Sequence, residues 1–155
     1  ESGGLPVVCG GTKAGFEKAK PVSAAYARAC NLMGAPGSGQ LAKMVNQICI
    51  AGLVQGLSEG LHFAKKAGLD IEMLIATISK GAAQSWQMEN RYKTMVAGTL
   101  DHGFAVDWMR KDLSICLGHA RKNGANLPAT ALVDQVSAHL PGLVVQRQGT
   151  LRQLA

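Results

Sequence analysis

The chain has 155 residues, the size of one ordinary domain, so a core can form without the disulfide or metal staples that small scaffolds need. Hydrophobic residues make up 47%, charged residues 17% and aromatics only 5%, a balance that reads as globular and helix-rich, with Ala, Leu and Gly filling the interior. Sixteen Lys and Arg against ten Asp and Glu give a net charge of +6. The basic residues are scattered, as at Lys13, Lys65, Lys66, Lys93, Arg121 and Lys122, without interleaved aromatics or a nucleic-acid motif. They read as a solvated face that draws anions by long-range attraction, and no nucleic-acid partner is expected.

Cys9, Cys30, Cys49 and Cys116 have neither Cys-x-x-Cys nor zinc-type spacing. A reduced, cytoplasmic setting fits them, and no metal is expected. There is no signal peptide and no apolar run of the ~20 residues a membrane span needs, so no membrane partner is expected either. The chain opens on Glu1 in mid-pattern and reads as a fragment or a processed form.

Residues 5–9 are short, β-branched and followed by Gly10-Gly11, which is strand-then-turn chemistry. Thr12 is placed to cap a helix with Glu17, Lys18 and Lys20 on its wet side and Phe16, Val22, Ala25 and Tyr26 on its dry side; Pro21 limits or kinks it. Residues 31–34 are expected to form one more short strand, before the turn Pro36-Gly37-Ser38-Gly39. From 38 to 67 there is no proline, and the apolar periodicity predicts one long helix stopped by Gly68. Its middle, 48–54, is apolar all round, so protein is expected on both sides. Gly52, Gly56 and Gly60 form a stripe where another helix could approach closely. Further helices are predicted over roughly 70–80, 84–97, 104–123 and 128–139, the last with Pro128 in its first turn. The fold class is therefore mainly α, with β structure only at the N-terminal edge.

Three constellations could carry chemistry. The glycine turn imitates a phosphate loop, but Gln40-Leu41 stands where Lys and Ser or Thr should follow, and no Gly-x-Gly-x-x-Gly occurs. Lys43, Asn46 and Gln47 lie three and four apart on one helix face, one turn after the glycines. A lysine beside an apolar run suits a general acid or base if burial depresses its pKa; on spacing alone, a lysine snorkelling to the surface explains it at least as well. Residues 104–113, with Lys111-Asp112, read by themselves as an amphipathic helix with a solvated charged run. His62, His102, His119 and His139 share no ligand spacing, and Ser85 lacks a nucleophile context.

Taken in order, Gly37-Ser38-Gly39-Gln40, Lys43, Asn46, Gln47, Glu59, Ala67-Gly68-Leu69-Asp70, Ser85-Trp86, Phe104 and Lys111-Asp112-Leu113 resemble the C-terminal helical domain of the β-hydroxyacid dehydrogenase family. The resemblance runs from about Leu5 to about Val133. It implies a helical catalytic and dimerisation domain over 37–155, built on the long helix, and a β-α-β remnant of an NAD(P)-binding Rossmann domain over 1–36. It implies NAD or NADP as cofactor, a small hydroxy acid as substrate and a homodimer or homotetramer. By position, Lys43 matches the catalytic lysine, Asn46 and Gln47 the substrate contacts, Lys111 the lysine that reaches the cofactor, and Phe104 a residue of the same cleft. The family's substrate-binding Ser-Gly-Gly and its fingerprint glycines are missing, so the chain by itself is expected neither to bind a dinucleotide well nor to turn over. The alternative is a non-catalytic helical module that only dimerises.

Overall fold

A computed structural model describes residues 4–99 and 106–139, and they form two compact units that divide between Gln47 and Ile48. In the first unit, β1 (Leu5–Cys9), α1 (Lys13–Ala24) and β2 (Ala27–Leu32) make a β-α-β turn whose strands pair in parallel, Val7 opposite Cys30 and Cys9 opposite Leu32. The crossover helix is what lets two strands so near in sequence run parallel. The register is irregular between Leu5 and Pro6, where proline has no N–H to give the ladder. Thr12 Oγ1 accepts from the Gly15 amide at 3.1 Å and starts α1 as expected.

Two expectations for this region change. The second strand is not 31–34 but Ala27–Leu32, because pairing with β1 recruits Ala27, Arg28 and Ala29, which have little strand preference of their own. The dry side of α1 is narrower than its apolar residues imply: Phe16 is half-buried and Ser23 buried, whereas Val22 is 69% exposed and Ala25 and Tyr26 are exposed. Pro21 lies inside the helix, which runs three residues beyond it.

The long helix is α2 (Ser38–Lys66), whose 29 residues cross the boundary between the units. Gly68, at φ 70°, takes the left-handed conformation that ends it, and the Leu69 amide reaches back to the Ala64 carbonyl at 3.0 Å. The second unit adds α3 (Ile71–Ile78), α4 (Trp86–Ala97), α5 (Val106–Asn123) and α6 (Pro128–His139) to the rest of α2. Asp70 and Ser85 cap α3 and α4 by accepting from the Met73 and Met88 amides at 2.9 and 3.1 Å, so α4 starts after Ser85 rather than at residue 84.

Two apolar clusters hold this unit. Leu61 of α2 packs with Ile75, Met88 and Met95 of α3 and α4; Ala51 of α2 packs with Met109, Leu113 and Val133 of α5 and α6. Segment 48–54 is covered unevenly within the chain: Ala51 is buried and Ile50 and Val54 pack against the two clusters, while Cys49, Gly52 and Leu53 are exposed, Leu53 by 47%. Gly52, Gly56 and Gly60 line an open groove of about 370 Å³ with Leu74, Ile78 and Met88. Among the described residues no helix is long and apolar enough to cross a membrane, and no disulfide joins the four cysteines. Phe104, His102 and the segment 140–155 lie outside the described residues.

Candidate active site on the first turns of the long helix

The start of α2 is fixed by close backbone packing within the first unit. A Cβ on Gly10 would stand 2.8 Å from the Ala35 carbonyl oxygen and 2.9 Å from the Gly39 amide, and a Cβ on Gly39 would stand 2.9 Å from the Val8 oxygen. Only glycine lets the end of β1 meet the first turn of α2 at this distance. Two backbone bonds clamp the loops beside it, Met33 N–H to the Cys9 carbonyl and Gly11 N–H to the Gly34 carbonyl, each at 2.8 Å.

One turn along, Lys43, Asn46 and Gln47 are brought together as their spacing predicts. Their environments differ. Gln47 is only 2% exposed, whereas Lys43 and Asn46 are exposed. The Lys43 ammonium donates from Nζ to Gln47 Oε1 at 2.8 Å, and Asn46 donates from Nδ2 to the same oxygen at 2.9 Å. Of the two readings that spacing left open for Lys43, the exposed lysine is the one observed, and the buried member of the trio is the glutamine. Among the described residues no carboxylate pairs with Lys43, so a neutral acceptor orients its charge without cancelling it. An ammonium so held can give a proton to an oxyanion or stabilise it by charge, and its conjugate amine can take one from a hydroxyl.

Lys111 lies on α5, exposed, 2.8 Å from Asp112 Oδ1 and with its Nζ 5.6 Å from the centroid of the Trp108 ring. Met109, Leu113, Cys116 and Ala120 form the buried face of that helix, so Trp108 and Lys111 stand on its open face, Trp108 being exposed. A cation beside an open aromatic ring is donor chemistry that fits a phosphate-bearing cofactor with planar rings. Spacing alone did not single out Trp108, although its i, i+3 relation to Lys111 carried the signal. Ser85 serves as the cap of α4.

Comparison with known proteins places these features in context. Residues 37–148 match the family model described as NAD-binding of NADP-dependent 3-hydroxyisobutyrate dehydrogenase. An uncharacterized oxidoreductase of Shewanella frigidimarina is 60% identical over all 155 residues, which are 53% of its own length. The 2-hydroxy-3-oxopropionate reductase of Escherichia coli is 34% identical over 134 residues, 86% of this chain and 46% of that protein. The crystal structure of 3-hydroxyisobutyrate dehydrogenase from Salmonella typhimurium superposes with a TM-score of 0.80 at 25% identity, covering 90% of this chain and 50% of that one. The chain thus spans about half the length of the curated relatives it matches.

Proposed function

The chain belongs to the family described as NAD-binding of NADP-dependent 3-hydroxyisobutyrate dehydrogenase, and on that premise we propose that it carries the acid/base residue of an oxidoreductase acting on a short β-hydroxy acid. The observation that supports this best is the gathering of Lys43 and Asn46 on one buried oxygen, directly after the glycine-packed start of α2. As the neutral amine Lys43 takes the hydroxyl proton when the alcohol is oxidised, and the ammonium so formed, which returns the proton in reduction, stabilises the alkoxide by its charge. Asn46 hydrogen-bonds the substrate beside it, and Gln47 completes this face. The nicotinamide cofactor, NAD or NADP, supplies the hydride acceptor or donor when bound. To Lys111 we assign the cofactor contact through its ammonium. We assign residues 1–36 to the remnant of the dinucleotide domain and 37–155 to the helical domain, and a reduced, cytoplasmic setting to the whole.

The test is to supply the whole protein with NAD or NADP and a panel of short β-hydroxy acids, following reduced nicotinamide by absorbance. Turnover of at least one β-hydroxy acid, with none of the matching simple alcohols, is expected; no turnover with any of them rejects the reading. A second reading, a helical module that only associates, draws on the open groove along Gly52, Gly56 and Gly60. It predicts a homodimer or homotetramer by light scattering together with no turnover. The catalytic reading takes the same oligomers as the form that turns over.

A further inference from the structure

We propose that Cys9 and Cys30 form a two-thiol site that bridges one soft, thiophilic centre, of the kind a trivalent arsenical presents, between the paired strands of the first unit. The pairing of β1 with β2 sets Val7 opposite Cys30 and Cys9 opposite Leu32. Side chains alternate along a strand, so these four residues share one face. All four are half-buried, while Val8 and Asn31 on the other face are exposed. On the shared face one thiol donates to the other, and neither cysteine is sealed from solvent. Far apart in sequence, the two are joined only by the strand pairing. Cys9 also precedes Gly10, which packs on Gly39, so the pair stands one residue from the junction that seats α2.

Spacing decides what the pair can hold. Strands lie about 4.8 Å apart and two residues advance about 6.6 Å, so the diagonal Cα separation is about 8 Å. A disulfide needs Cα atoms within about 7 Å, and the strands would have to shift to make one. A single centre bonded at about 2.3 Å to each sulfur joins sulfurs up to about 4.6 Å apart, a span that thiols in hydrogen-bond contact meet. Among the described residues no group of three or more His, Cys, Asp or Glu is placed to hold a metal ion. The centre must therefore be content with two sulfurs, unlike a structural zinc ion with its four ligands. Binding of an organic arsenic(III) oxide involves no change of oxidation state. Two S–H bonds break, two As–S bonds form, and both protons leave with the arsenic's oxygen as water.

The test mixes the reduced chain with one equivalent of phenylarsine oxide and then challenges it with rising concentrations of glutathione, a monothiol. Intact-mass spectrometry should show one phenylarsenic group per chain, and peptide mapping should find it joining the Cys9 and Cys30 peptides. Because the second As–S bond closes within the chain, release should need about 10²–10⁴-fold more glutathione than from Cys9→Ala, where single thiols hold the arsenic. A dithiol such as 1,2-ethanedithiol should remove it readily. Equal ease of release from the unaltered chain and Cys9→Ala overturns the proposal, as does a map that places the arsenic on Cys49 or Cys116. Should Cys9→Ala fail to fold, the map of the unaltered chain decides. A Cys9–Cys30 disulfide formed in the folded chain by diamide would contradict the spacing and overturn the proposal as well.

Discussion

Lys43, Asn46 and Gln47 were grouped by helical spacing, and spacing could go no further. It puts three side chains on one face but does not say which turns inward, since that depends on what packs against the helix. The answer, that the neutral amide is buried and the lysine exposed, is a matter of desolvation: an amide with its oxygen doubly bonded costs far less to bury than an ammonium. The cysteines make a second prediction at this scale. Burial first, and then the neighbouring Cys30 thiol, push the Cys9 thiol up from its ordinary value; burial first, and then the negative charge of Asp112, do the same for Cys116. A raised thiol holds its proton to higher pH, so less thiolate is present at mildly alkaline pH. Iodoacetamide should therefore label exposed Cys49 first and Cys9 and Cys116 later, and a mass-spectrometric time course in which either outpaces Cys49 contradicts this.

Among the elements, the helices were the most legible, because each carries its own punctuation: Asp70 and Ser85 as caps, Gly68 as a stop, Pro128 in a first turn. The second strand was misplaced because its residues become a strand by pairing, and the partner is more than twenty positions upstream in the chain. The close approach of Gly10 and Gly39 was likewise invisible in one dimension, although it seats the start of α2. It predicts that Gly39→Ala, whose Cβ would stand 2.9 Å from the Val8 oxygen, destabilises the fold by about 1–3 kcal/mol through backbone strain, measured by denaturant unfolding. Unchanged stability would mean that β1 and α2 can separate at no cost.

For the molecule as a whole, composition announced a helical body but not how α2 would be shared. Segment 48–54 is apolar all round, yet only Ala51 of it is buried, Ile50 and Val54 pack against the two clusters, and Gly52 and Leu53 line the groove. Leu113, fully buried in the cluster with Ala51, Met109 and Val133, is the residue whose truncation reads out that packing. Leu113→Ala should cost about 2–5 kcal/mol in the same unfolding measurement. The family resemblance, carried by ordered motifs rather than by any one of them, reached the fold and the family; the proposed chemistry rests on one amino group. Single-turnover hydride transfer by the whole protein with Lys43→Ala, beside cofactor binding followed by fluorescence, tests that most directly. A rate reduced at least about 10²-fold, the usual contribution of a general acid or base, is expected with cofactor affinity retained; transfer at the unaltered rate would remove Lys43 from the reaction.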